Sequence, residues 1–492
     1  MPTPSRVRAD TPQSRCRFAL SWADITPPAG IYHRMWGAAT HDRAQGVHRP
    51  LRATLAMFAP LSSDEVKPDQ RQILISLDHC VLGAVEHRQL VERIARASRQ
   101  PEACFLVVFT HTHAAGLMGL ERIEFPGGDL IPPYLESLAA TCARLTLECE
   151  ERLEEAEVVY GTGRCDLAAN RDFYDGERGV WVCGFNPGVP SDDRVVVARI
   201  TSSRGAPMAT MVNYACHPTT LAWANTLVSP DYVGSLRELV EQQSGAPCLF
   251  LQGASGDLGP REGFVGDPAV ADRNGRILGW AALSALEGLP VPGTTFVYSG
   301  PVVSGATLGA WEHRELAGKE LAALALWRVE RWSEPLAYRP GNPRREDLEA
   351  DLVRLASEER QAAEGGHAEL ARDLRAMAER KRRLLHRLAQ LPSGPCYPLQ
   401  VVLWRMGASY WVGVQGESYS VLQRELRARF PERCIVVASL AADWGASYLP
   451  PAELYGQGLY QESIAVVAPG SLEQLIESVA RRIQAMDSQT SP

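Results

Sequence analysis

The sequence predicts an α/β protein, a mixed sheet with flanking helices and an inserted helical hairpin, and three observations carry that reading. Short apolar, β-favouring runs recur along the chain, and most stop abruptly at polar residues. Stretches with helical spacing of apolar residues lie between many of them, the alternation typical of α/β folds. Residues 345–390 then shift to Glu, Arg, Leu and Ala with few β-branched residues, and Gly365-Gly366 breaks them in two, as expected of two helices and a turn.

In chain order, residues 1–16 read as a disordered leader. A strand over 18–22 ends in Asp24-Ile-Thr-Pro-Pro-Ala-Gly30, where paired prolines and a glycine force an extended turn. Strands over 51–58 and 72–77 follow, the second stopping at Asp78-His79, and 85–98 has the spacing of a helix. Phe105-Leu-Val-Val-Phe109 reads as a strand covered on both faces, and it runs into Thr110-His111-Thr112-His113. After a Pro/Gly-rich loop (125–133) comes a long amphipathic helix over 134–155. Strands over 158–160, 194–200 and 208–215 lead to Cys216-His217-Pro218. A helix over 233–243 and a strand over 248–251 lead to the turn Gln252-Gly253-Ala254-Ser255-Gly256-Asp257-Leu258-Gly259-Pro260. Helices are expected at 269–286 and 312–333, ahead of the hairpin, which Gly394-Pro395 ends. Strands over 399–404, 410–414 and 434–440, a helix to 430 between the last two, and a capped helix over 471–486 complete the pattern.

Charge and cysteine usage narrow the function classes. Lys and Arg number 50 against 58 Asp and Glu, a net charge of −8 with both signs interspersed, so no basic face for nucleic acid is expected. The 11 cysteines are scattered, form no C-x-x-C and in part lie inside apolar runs such as Cys248-Leu-Phe-Leu, which suits reduced core residues in a reducing compartment. The N-terminus has no apolar stretch, and no segment approaches the ~18 apolar residues of a membrane span. A soluble, cytoplasmic protein without a transmembrane segment is therefore expected. The charges of the hairpin read as a solvated face, an arm suited to homo-oligomer contact and assigned no chemistry.

The chemistry is expected at the strand ends. Apolar strands end in Asp78, His111, His217, the 253–260 turn, Glu417 and the 443–448 segment. In open α/β sheets the carboxyl edge is where ligands bind. If one sheet carries several of these strands, that edge collects imidazoles, carboxylates and tyrosines. A catalytic zinc site commonly takes three such side chains and leaves a position for a water whose pKa falls to about 7. Each residue alone has a plainer reading: Asp78 as a helix cap, a strand-end histidine bonded to a carbonyl, Asp257 bonding amides of its own turn.

The ordered series Asp24-Ile-Thr-Pro-Pro-Ala-Gly30, His111-Thr-His113, Asn170-Arg171, His217-Pro-Thr219, Gly256-Asp257 with Pro260, Gly416-Glu417 and Tyr448 resembles the neutral/alkaline (non-lysosomal) ceramidase family over about residues 17–485. The resemblance implies a zinc ion on His111, His217, Glu417 and Tyr448. It implies His113 and Arg171 near the scissile amide, and Tyr460 in contact with the substrate carbonyl. It also implies a division into leader (1–16), ceramidase-like α/β catalytic region (17–310), helical insertion (311–395), C-terminal part of the catalytic domain (396–486) and tail (487–492), without the family's C-terminal immunoglobulin-like domain.

One departure matters. The family's nucleophilic serine follows the Gly-Asp pair by two residues, and Gly259 stands at that position here. Ser255 is a nearby hydroxyl, more commonly a turn former in such a glycine-rich segment. The expected activity is hydrolysis of a small-molecule N-acyl substrate by metal-activated water, His113 and Arg171 stabilising the oxyanion and Asp257 orienting a ligand or accepting a proton. Rival readings are hydrolysis of another small polar substrate, an ester or a sugar-linked one, and a metal-binding module without catalysis.

Overall fold

The computed structural model describes residues 7–61 and 70–489. Its central element is an eight-stranded sheet whose strands run β8-β7-β6-β5-β1-β2-β3-β4 across it. They are β1 (Gln13–Asp24), β2 (Arg52–Ala59), β3 (Gln72–Leu77), β4 (Phe105–Phe109), β5 (Glu154–Arg164), β6 (Arg194–Ser202), β7 (Pro207–Tyr214) and β8 (Cys248–Gln252). A second sheet, β9 (Trp327–Ala337), β10 (Cys396–Met406), β11 (Ser409–Val414) and β12 (Cys434–Ala438), stacks against it. Phe18, Phe58, Leu74 and Tyr160 of the large sheet meet Trp404, Met406 and Trp411 of the small one, and Phe58 lies 4.8 Å from Trp404, ring to ring.

Helices cover both outer faces. α1 (Ala84–Ser98) and α2 (Ile131–Glu151) place Leu90, Ile94 and Leu138 on Leu55, Met57 and Phe109. α3 (Tyr232–Ser244) and α4 (Pro268–Glu287) bury Leu236, Val240 and Leu278 against Val195, Val212 and Phe250. The small sheet is covered by α7 (Val421–Arg429) and α8 (Ser471–Ser488). The fold is thus a helix–sheet–sheet–helix stack, and strands such as β4 are apolar throughout because a layer lies on each side of them. Each fully buried Leu, Ile, Val or Phe contributes about 1.5–3 kcal/mol.

Most neighbours in the sheets are antiparallel, but three pairs are parallel: β3 with β4, β7 with β8, and β11 with β12. Polar residues collect at the carboxyl ends of these pairs, where the chain leaves toward the next crossover.

The hairpin is present as α5 (Arg345–Glu364) and α6 (Ala368–Ala389). It enters and leaves between adjacent antiparallel strands: Ala337 pairs with Cys396, and the amide of Tyr338 donates to the Pro395 carbonyl at 3.2 Å. The expected helix over 312–333 is not formed. Its residues belong to the strand Ala306–Glu315, paired with Thr294–Ser304, to the short helix Lys319–Ala323 and to β9. Ala, Glu and Leu favour a helix there, but the pairing of β9 with β10 along its whole length overrides local preference. The helical part of the 311–395 insertion is correspondingly narrower.

The leader also differs from expectation. Arg8–Ala9 pairs with the 294–304 strand and β1 starts at Gln13, because these residues find sheet partners; positions 1–6 lie outside the described residues. In the 487–492 tail, α8 extends to Ser488, and 490–492 lie outside the described residues. None of the 11 cysteines, all among the described residues, forms a disulfide. No described helix is long and apolar enough to cross a membrane.

Candidate metal centre and its cavity

Four segments deliver the central side chains. β4 ends at Phe109, and His111 turns out of its line with φ +70°, an uncommon conformation for a side-chain-bearing residue, held by its amide bond to the His79 carbonyl. β7 delivers His217 and β11 delivers Glu417. The short strand Glu417–Ser418 pairs in parallel with Tyr448–Leu449, so that Glu417 and Tyr448 are direct neighbours. Gly416 makes this possible: its φ is +83°, and a Cβ there would lie 2.7 Å from the Ser447 carbonyl oxygen.

The donor atoms converge. Glu417 Oε2 lies 3.0 Å from His217 Nε2 and 3.3 Å from His111 Nε2. The Tyr448 hydroxyl is 3.4 Å from His217 Nε2. Each imidazole is oriented from behind: His111 Nδ1 donates to the Cys80 carbonyl at 2.8 Å and His217 Nδ1 to the Ser255 carbonyl at 2.7 Å. A carbonyl only accepts, so Nδ1 carries a proton in each ring and Nε2 faces inward, where a neutral ring presents its lone pair. Two lone pairs and a carboxylate oxygen then face one small volume, an arrangement that repels itself unless a cation or protons occupy it. Two imidazole nitrogens, a carboxylate oxygen and a phenol oxygen are a donor set that suits zinc. Cys80, His111 and His113 form a second, overlapping group with metal-ligand spacing.

Electrostatics follow the same geometry. Burial pushes the Glu417 carboxyl up, but His111 and His217 outweigh it and hold it well below the usual carboxylate range. Burial, with Arg171 adding to it, lowers His217 to about 3. Burial and the neighbouring His111 and His217 hold His113 well below an ordinary imidazole, hence neutral at pH 7.

These groups open into a cavity of about 390 Å³, in the usual range for a small-molecule site. Of the residues expected at the site, His111, His113, Arg171, Glu417, Tyr448 and Tyr460 line it, and His217 lies directly behind. Arg171 donates from Nη2 to the Gly256 carbonyl (2.8 Å) and to the Tyr448 hydroxyl (3.0 Å). His113 packs on Trp36, and the Tyr460 ring stands 5.9 Å from that of Tyr448.

Other candidates sit elsewhere. Asp257 is buried behind the site, its oxygens accepting from the Ser420 amide (2.6 Å) and hydroxyl (2.7 Å), so its contacts are those of a structural residue. Asp78 ion-pairs with Arg237 and accepts from the Arg52 amide, away from the cavity. The Ser255 hydroxyl accepts from Gln252 Nε2 at 2.7 Å. Gly259 lies beside Arg171, through the pairing of Leu258–Pro260 with Ala168–Asn170.

The hairpin takes a part that its composition did not announce. Ala376, Glu379, Arg380, Arg383, Leu384 and Arg387, all on α6, line the cavity. Glu379 pins the helix down: it is 5% exposed and pairs with Arg122 (2.7 Å), Arg382 (2.7 Å) and Arg383 (2.8 Å). The expectation of a solvated face without a role in the site is corrected for α6. Its inward residues recur every three or four positions, the one available signal, but they are mostly charged and so carry no apolar stripe.

No family model matches the chain. Neutral ceramidase B of Dictyostelium discoideum is 24% identical over 278 residues, 51% of this chain. That stretch is 38% of the relative's own length, so the match spans well under half of it. Among solved structures, a ceramidase complexed with C2 matches with a TM-score of 0.61 at 16% identity, over 96% of this chain and 76% of that one. Neutral ceramidase from Pseudomonas aeruginosa matches with a TM-score of 0.61 at 17% identity, over 97% and 75%. The mixed α/β fold is that of these structures, and the chain is neutral-ceramidase-like.

Proposed function

We propose that the chain is a zinc-dependent hydrolase of an N-acyl amide bond. The observation that carries the reading is the meeting of His111, His217, Glu417 and Tyr448 beside Arg171 and His113 at a partly apolar cavity. Its likeness to ceramidases supports the amide as the bond cleaved. His111, His217, Glu417 and Tyr448 would hold the ion, which when bound polarises a carbonyl and readies water for attack at neutral pH. The stretches 17–310 and 396–486 act together in this reading, since both supply ligands.

The chain's own groups do the rest. Met35, Trp36, Trp223 and Phe264 offer an apolar wall to the acyl group and keep bulk water from the amide. Arg171, fixed by Gly256 and Tyr448, directs positive charge at the carbonyl oxygen as it becomes an oxyanion. Neutral His113 accepts a proton at Nε2 and passes it to the departing nitrogen. Water adds to the carbonyl carbon, the C–N bond breaks, and acid and amine leave. No serine is needed. Eleven cysteines without a disulfide among them support a reducing, cytoplasmic setting.

Metal analysis with an activity panel tests the reading. About one zinc per chain is expected, with turnover of N-acyl amines, both lost in His111→Ala. Stoichiometric zinc without turnover on a broad amide and ester panel would sink it.

A further inference from the structure

Arg387 is only 6% exposed, yet no carboxylate pairs with it among the described residues. Its Nη1 donates to the Ile464 carbonyl at 3.2 Å, its guanidinium lies 4.3 Å above the Trp444 ring, and its Nε has no hydrogen-bond partner. A buried cation left unpaired costs several kcal/mol. The nearby carboxylates are already committed: Glu379 to Arg122, Arg382 and Arg383, and Glu417 to the two imidazoles. The cavity therefore presents Arg171 and Arg387 with no free anion facing them, and beside them Arg383, which is held by Glu379. Arg387 lines the same cavity as Glu417, Tyr448 and Tyr460, so it belongs to the same reaction space. A separate wall is aromatic: Trp36 contacts His113, Trp223 and Phe264.

We propose that Arg387, with Arg383 beside it, is a subsite for an anionic group on the amine portion of the substrate, so that the substrate is an N-acyl compound bearing a carboxylate, sulfonate or phosphate. This rests on the hydrolase reading and names its substrate class. The aromatic wall takes the acyl chain, and the guanidinium fork takes the anion with paired, charge-assisted hydrogen bonds. Ceramide itself, which carries no charge, leaves the fork unsatisfied.

The test compares N-dodecanoylglycine with the uncharged N-dodecanoylethanolamine, binding being read from tryptophan fluorescence, since Trp36, Trp223 and Trp444 line the cavity. Titrations use the full chain and His111→Ala, in which a bound cation's own pull on the anion is removed. At least tenfold tighter binding of the anion, about 1.4 kcal/mol, is expected in both. Arg387→Gln should bring the two ligands within about threefold of each other, and Arg387→Lys, which keeps the charge but not the fork, should retain part of the preference. If Arg387→Gln does not fold, Arg387→Lys and Arg383→Gln carry the test, each narrowing the ratio. N-dodecanoyltaurine and N-dodecanoylphosphoethanolamine separate sulfonate and phosphate from carboxylate. Equal binding of charged and uncharged ligands to the full chain would overturn the proposal, as would a preference kept in Arg387→Gln but lost in His111→Ala. Turnover without discrimination removes this subsite alone; discrimination without turnover removes the hydrolase reading alone.

Discussion

Gly259 has room for a side chain. A Cβ there would lie 3.8 Å from Arg171 Cδ and from Thr219 Oγ1, ordinary van der Waals contact. Gly259→Ser should therefore fold and keep activity within about threefold on an N-acyl panel. Ser255→Ala should also keep most activity, because the hydroxyl is bonded to Gln252 and only the backbone carbonyl reaches His217; a collapse in kcat would return the chemistry to a serine. Asp257 supplies a pH test. Burial raises its carboxyl to about 6, so the folded state favours the protonated form. Its contribution to stability is present below the unfolded value near ~4 and is lost as pH rises through about 6. In Asp257→Asn, where the Ser420 hydroxyl can turn to accept, this dependence should vanish, so the urea midpoint of the wild type relative to the variant should fall between pH 4 and 6. The meeting of the proposed ligands was legible in the sequence because His111, His217 and Glu417 each follow an apolar run and, with Tyr448, stand in the order of a known family. Arg383 and Arg387 were not, since an arginine turned toward a cavity in a charged helix looks like a solvated one.

Among the elements, α6 depends on Glu379 for its place. Burial raises that carboxyl, but Arg383 and Arg122 outweigh it and bring it down to about 2. Glu379→Ala leaves Arg122, 1% exposed, with Glu121 (3.0 Å) alone, and removing one member of a buried pair costs up to about 3–5 kcal/mol. Much of that loss should appear as local opening of α5 and α6, read as faster amide exchange over 345–389. A steric variant tests the same contact. A Cβ on Gly37 would lie 2.9 Å from Ala376 Cα, so Gly37→Val should lift α6 and enlarge the cavity, raising KM more than it lowers kcat. The hairpin itself was legible from composition and its Gly-Gly break. The strand β9 was not, because its pairing comes from distant chain: it joins β10 across the whole hairpin.

Across the whole molecule, the candidate centre bridges the two stacked sheets: His111 and His217 follow strands of the large one, Glu417 and Tyr448 strands of the small one. A cation bound there is linked to their association, and a ligand at 100 times its dissociation constant adds about 2.7 kcal/mol. A chelator should therefore lower Tm in the wild type and leave His111→Ala unmoved. The stacking of two sheets was not read from sequence, since an apolar strand covered by helices on both faces and one covered by a helix and a sheet have the same pattern. The entry and exit of the hairpin at a single point on neighbouring strands has a practical consequence. It can be treated as a cassette: with Arg122 neutralised alongside, exchanging it for a short turn or for another chain's hairpin should leave the β9–β10 pairing beneath it in place, so that grafting changes the cavity wall and keeps the sheet.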